Sequence, residues 1–232
     1  MIERVKTGIK GLDELMGGGI PRGSTVLLSG GAGTGKTLFG IQFLYNGAIR
    51  YKEPGVYVSL EEEPGRVIKN TLDAFGWDLN SLINKKLLSV IKAELYNFDK
   101  LKALIEDEVD RIKAKRLVID QSAILGLFFE KKFQVRKSIF ELSKMLKNLG
   151  CTTVIVSEIP EGTPAISSFG VEEFVADGII ILHFLREGNV LTRALSVRKM
   201  RTTYHDTGIH PIQITKKGIE VFPTEQVFEQ VK

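Results

Sequence analysis

Ser24 to Gly40 reads STVLLSGGAGTGKTLFG, and within it Gly30, Gly35, Lys36 and Thr37 fall at the spacing G-x-x-x-x-G-K-T. That spacing predicts a loop whose successive backbone N–H groups curl around a phosphate. The apolar run Thr25 to Leu28 before it predicts a buried strand, and the residues from Thr37 onward predict a helix whose N-terminus points at the anion. The loop residues of this reading are Gly30, Gly31, Ala32, Gly33, Thr34, Gly35, Lys36, Thr37 and Leu38. Lys36 reaches the β and γ phosphates, Thr37 places its hydroxyl on Mg2+, and the amides of Gly33, Thr34 and Gly35 hold the β phosphate. Glycine is required because a side chain would block the close approach of the backbone. A glycine-rich turn without a ligand would not need the strand and the helix that flank this one.

Outward from the loop, strands and helices alternate. Thr7 to Leu15 predicts a short helix, broken at Gly17-Gly18-Gly19 and Pro21. After the loop helix, which closes near Tyr51 to Pro54, Gly55 to Leu60 predicts a strand ending in the acidic run Glu61-Glu62-Glu63. Pro64 opens a helix that Gly76 ends, with Val67, Ile68, Leu72 and Phe75 as its stripe. A strand over Leu87 to Ile91, a helix through Leu101 to Ile112, the strand Arg116 to Asp120, a helix from Val135 to Leu149 and the strand Thr152 to Ser157 follow. This order implies right-handed crossovers and a mainly parallel sheet flanked by helices. Beyond Glu173 the rhythm changes. Gly178 to Phe184, Leu191 to Met200, Ile212 to Ile214 and Ile219 to Phe222 predict an antiparallel β extension, with turns at 187–189 and 216–218, and the segment after Pro223 predicts a frayed tail. The expected organisation is one α/β domain, with residues 1–23 as an N-terminal helix and turn, 24–222 as the core and 223–232 as the tail.

Composition narrows the class. The chain of 232 residues is 43% hydrophobic, enough for one sizeable core. A single cysteine, Cys151, excludes a disulfide framework and points to a reducing interior. No run approaches a membrane span and the N-terminus lacks a signal-peptide core, so a cytoplasmic protein with no membrane contact is expected. Net charge is +4, from 32 basic and 28 acidic residues, which permits contact with nucleic acid without demanding it.

Phosphoryl transfer to water needs a metal, a positioned base and positive charge for the transition state. Asp120, at the end of LVID, is placed to hold Mg2+ through its water shell, although a strand-end acid also caps helices. Glu61 and Glu62 end the strand after the loop helix, on the edge where open α/β sheets bind ligands, and a carboxylate there can orient or deprotonate water. An acidic helix start before Pro64 is the other account, and it suits Glu63 best. Lys199 and Arg201 alternate along Val197 to Arg201 and project from one face, either a solvated strand face or, on a neighbouring subunit's nucleotide, charge-stabilising fingers. His183, His205 and His210 lack metal-ligand spacing. The segment Leu127 to Arg136, LFFEKKFQVR, mixes Phe128, Phe129 and Phe133 with Lys131, Lys132 and Arg136. It fits a hydrophobic docking segment, or a surface that stacks bases and holds backbone phosphates.

Together these motifs resemble the KaiC-like branch of the RecA and RadA superfamily of P-loop ATPases. The resemblance runs from about Val5 to Phe222 and is carried by TGIKGLDELMGGGIPRGSTVLLSGGAGTGKTLF, YVSLEEEP, FGWDL at Phe75 to Leu79, RLVIDQSAIL at Arg116 to Leu125, and KMRTTYHD at Lys199 to Asp206. It implies a RecA-like fold, ATP and Mg2+ as cofactors, slow hydrolysis, and a homo-oligomer, either a six-subunit ring or a filament, with ATP at each subunit boundary. It also implies catalytic roles for Glu61 and Glu62 on the hydrolytic water, and a trans role for Lys199 and Arg201 at the adjacent γ phosphate. Gln121 stands where the family usually has serine. The chain carries one ATPase domain and not the tandem pair of the clock protein, so a circadian role is not implied. The alternative reading is a recombinase relative that holds single-stranded DNA between Phe128, Phe129, Lys131, Lys132 and the loop 159–170.

Overall fold

The computed structural model describes residues 2–93, 97–121, 131–159, 165–187 and 190–227. A small antiparallel pair, β1 (Arg4–Val5) and β2 (Ile20–Pro21), brackets the short helix α1 (Leu12–Leu15). The main sheet then takes β3 (Thr25–Gly30), β4 (Gly55–Ser59), β5 (Leu88–Lys92), β6 (Arg116–Asp120), β7 (Thr152–Glu158), β8 (Gly178–Glu187), β9 (Val190–Met200), β10 (Ile209–Thr215) and β11 (Gly218–Val221). Its spatial order is β11-β10-β9-β8-β3-β7-β6-β4-β5. From β8 to β5 every neighbouring pair is parallel, and β8 to β11 are antiparallel. The parallel strands are buried on both faces, which is why they read as near-continuous apolar runs.

Helices α2 (Lys36–Asn46), α3 (Pro64–Phe75), α4 (Leu79–Asn84), α5 (Phe98–Ile112), α6 (Lys132–Asn148) and α7 (Glu172–Val175) accompany the sheet. Two apolar layers result. On one face α2 packs Phe39, Phe43 and Leu44 against Leu28, Val118, Val156 and Leu182. On the other, α5 and α6 bring Leu101, Ile105, Val109, Leu142 and Leu146 against Val56, Val58, Leu117, Ile119 and Ile155. Among the described residues, no helix is long and apolar enough to cross a membrane.

Three expectations are corrected in detail. The N-terminal segment contributes a strand pair as well as a helix, because Arg4 donates to the carbonyls of Met16 and Gly19 and draws the two ends together. Helix α4 was not anticipated, being only six residues long; Asp78 caps it by accepting from the Ser81 amide, and Trp77 before it stacks between Tyr45 and Phe75. The start of the expected frayed tail is tied down. Val227 N–H donates to the Ile209 carbonyl, and His210 Nδ1 lies 2.7 Å from the Glu225 carbonyl.

At the amino end of β6, Arg116 is completely buried. Its guanidinium bonds Glu53, the Phe43 carbonyl and the Lys6 carbonyl, and it lies over the rings of Phe43 and Tyr51. One side chain thus joins the N-terminal segment, the end of α2 and the strand that carries Asp120 at its far end.

Candidate functional site

The carboxyl ends of β3, β4, β6 and β7 lie side by side, with Gly30 registered on Glu158 and Ser59 on Asp120. Open parallel sheets bind ligands along this edge. A cavity of about 700 Å³ opens there, lined by Ala32, Gly33, Gly35, Lys36, Thr37, Leu38, Glu61, Glu62, Asp120, Gln121 and Glu158, among others. Its second half runs between α2 and α3, where Ile41, Val67, Ala74 and Phe75 supply an apolar wall and Asn70 and Thr71 supply amide and hydroxyl groups.

Gly35 and Gly30 show why the loop needs glycine. Gly35, the residue before α2, has φ of 107°, in the left-handed region. A Cβ on Gly30 would lie 2.7 Å from the Leu182 carbonyl oxygen and 2.7 Å from Thr34 Oγ1. Gly31 turns its carbonyl into the loop, where it accepts from Lys36 Nζ at 2.7 Å and Thr34 Oγ1 at 2.8 Å. Burial lowers the pKa of Lys36, and the charges of Glu158 and Asp120 act in the opposite sense.

Asp120 is the centre of a hydrogen-bonded cluster. Its Oδ2 accepts from Thr37 Oγ1 at 2.8 Å and from the Tyr57 hydroxyl at 2.6 Å. Burial raises the pKa of Asp120, opposed by these two bonds and by the charge of Lys36. Next to it Gln121 Nε2 donates to Glu61 Oε1 at 3.0 Å. The Ser59 hydroxyl donates to the Glu62 carbonyl at 2.6 Å, which fixes the backbone that follows β4. Glu63 takes no part in the cavity. It sits at the N-cap position of α3 with its side chain paired to Lys92.

Lys199 and Arg201 lie elsewhere in this chain. The ladder between β8 and β9 shifts register between Ile179 and Ile180, where Ile180 faces Val197 and Ile179 faces Lys199. The extra residue on β9 turns Met200, rather than Lys199, back toward the layer that holds Leu195 and Val197. Lys199 instead meets α7, donating to the carbonyls of Glu173 at 3.0 Å and Ala176 at 2.6 Å, while Arg201 pairs with Asp177. Burial, and then the charge of Arg201, lower the pKa of Lys199. Neither cation lines the cavity.

Three residues at the site were not found from sequence. Glu158 repeats the pattern of Asp120, an acid ending an apolar strand, and that pattern was legible. Tyr57 carried no signal inside an apolar run. Arg193 lies over the Phe184 ring and donates to the Gly33 carbonyl from Nη2 at 3.3 Å; only the fold brings β9 to the loop. Of the segment read as a DNA surface, Phe128 and Phe129 lie outside the described residues, as do residues 160–164 of the loop 159–170. Phe133 is 73% exposed on α6.

Comparison with known proteins gives consistent results. The family described as "ATPase: KaiC" matches residues 5–226. The circadian clock oscillator protein KaiC of Parathermosynechococcus lividus is 41% identical over 233 residues, covering 96% of this chain and 43% of that protein. The chain therefore spans less than half the length of that relative. A UPF0273 protein of Thermotoga maritima is 39% identical and is covered over 98% of its length, with 97% of this chain. Among solved structures, a KaiC-like protein of Pyrococcus horikoshii OT3 aligns with a TM-score of 0.88 at 40% identity, over 96% of this chain and all of that one.

Proposed function

Because the chain belongs to the KaiC family of ATPases, we propose that it binds Mg–ATP and hydrolyses it slowly at sites completed between the subunits of a homo-oligomer, a hexameric ring or a filament, and that nucleotide state switches its contact with a partner. The observation that carries this reading is the convergence of Lys36, Thr37, Asp120, Glu61 and Glu62 on one cavity.

Each group has a chemical part. Lys36 and the loop amides bind the phosphates, and the apolar wall of Ile41, Val67 and Phe75 faces the base. The Thr37 hydroxyl and the Asp120 carboxylate converge within 2.8 Å, an oxygen-only donor set that fits a small hard cation. Bound there, Mg2+ neutralises charge on the phosphate oxygens. One of the Glu61 and Glu62 carboxylates accepts the proton of the attacking water as its lone pair reaches the γ phosphorus, the other orients that water, and the bond pair leaves with the β-phosphate oxygen. Lys199 and Arg201, absent from the cavity of their own subunit, supply positive charge to the next subunit's γ phosphate.

Steady-state phosphate release, with size analysis of the same sample, tests the whole reading. Slow turnover that needs Mg2+ and appears in the assembled fraction is expected; no nucleotide binding and no turnover in any fraction would sink it. Arg201→Ala is expected to lower turnover of the assembly on the order of a hundredfold while leaving nucleotide binding by single subunits unchanged. An equal loss of binding in single subunits would remove Arg201 from the trans role.

A further inference from the structure

Tyr57 lies in the middle of β4, almost fully buried, and is used by none of the steps above. In the parallel ladder it is registered on Val118, so Asp120 is its diagonal neighbour two residues along β6, a distance that an aromatic side chain spans. Its ring packs in the layer beneath α2 with Val118 and Leu44. A phenylalanine would fill that volume equally well. What the hydroxyl adds is one hydrogen bond, 2.6 Å long, to the same Asp120 oxygen that accepts from Thr37.

We propose that Tyr57 is a positioning residue of the cation site: donating to Asp120 Oδ2 together with Thr37, it fixes the rotation of the carboxylate, directs Oδ1 to the cation's water shell, and so sets the affinity for a divalent ion. A hydroxyl that coordinates a cation through a lone pair must point its hydrogen away from it, and Thr37 points its hydrogen at Asp120. With only that donor, the carboxylate can turn about its Cβ–Cγ bond and exchange its two oxygens. The second donor comes from β4 rather than α2 and removes that freedom. Partners that orient metal-binding groups in this way typically carry a ten- to hundredfold share of metal affinity.

The inference rests on the cavity being a nucleotide and metal site, and its test separates the two. Mn2+ affinity is read by electron paramagnetic resonance in the presence of a non-hydrolysable ATP analogue, for the wild type, Tyr57→Phe, Asp120→Asn and the double variant. Tyr57→Phe is expected to weaken Mn2+ about tenfold or more, to leave analogue binding in EDTA unchanged, and to have no effect once Asp120→Asn is present. Incorporating 3-fluorotyrosine at position 57, which keeps the donor, is expected to retain wild-type affinity. Unchanged Mn2+ affinity in Tyr57→Phe, an equal loss in the Asp120→Asn background, or the same loss with 3-fluorotyrosine would overturn the role of Tyr57 alone. Failure of the wild type to bind the analogue at all would overturn the nucleotide site itself.

Discussion

Glu61→Gln combined with Glu62→Gln is expected to leave nucleotide binding close to that of the wild type and to lower turnover by a factor on the order of a hundred to ten thousand. The amides match the carboxylates in size but cannot take the proton of the attacking water. The surroundings tolerate the change. A glutamine at 61 can still pair with the Gln121 amide, and the Ser59 bond at position 62 goes to the backbone carbonyl, which the substitution leaves in place. The Lys36, Thr37 and Asp120 contacts are untouched, so binding survives. Equilibrium titration with a fluorescent nucleotide and phosphate release from the same preparation check both halves. Full hydrolysis by the double variant would exclude the two carboxylates as the base.

The largest loss of stability is expected at Arg116, far from the cavity. Arg116→Ala leaves Glu53 without its buried partner, uncovers the carbonyls of Phe43 and Lys6, and removes the cation from the Phe43 and Tyr51 rings. Breaking a buried pair of this kind costs about 3–5 kcal/mol, and the lower part of that range applies here because Arg22 still holds Glu53 at 2.8 Å. The midpoint of urea denaturation reads the change, and a shift worth under about 1 kcal/mol would mean that Arg22 alone suffices. Burial alone would raise the pKa of Glu53; the bonds from Arg22 and Arg116 outweigh it and leave the group below its ordinary value. A depressed carboxyl stabilises the fold above its unfolded-state pKa and loses that contribution as pH falls through its folded-state value. Acid therefore weakens the same cluster.

The glycine-rich loop and the parallel half of the sheet were legible because their signals are local, except for β8, which the sequence assigns to the antiparallel extension and which pairs parallel with β3. A buried strand is an apolar run, and a loop that cradles phosphate needs glycines at fixed offsets. Glu61, Glu62 and Asp120 followed from one further step, that acids ending parallel strands share an edge. What escaped depends on contacts between distant parts of the chain. The hydroxyl of Tyr57 means nothing until β6 lies beside β4, and Arg193 reaches the loop only because β8 and β9 fold back along β3. Simple alternation from Val197 to Arg201 also hid the extra residue that turns Lys199 toward α7. Short helices such as α4 carry too few residues for a period to show.

Strand β9 touches the glycine-rich loop at one end, through Arg193 on the Gly33 carbonyl, and carries Lys199 at the other. Six residue steps, at about 3.3 Å each, place the two residues at most about 20 Å apart along the strand. Pairing with β8 runs along nearly the whole of β9, and β10 adds a second ladder over Ala194 to Ser196. A strand held in this way behaves as a strut. A shift of the Gly33 carbonyl would therefore pass along the paired stretch as far as Val197, where the register shift interrupts the ladder before Lys199.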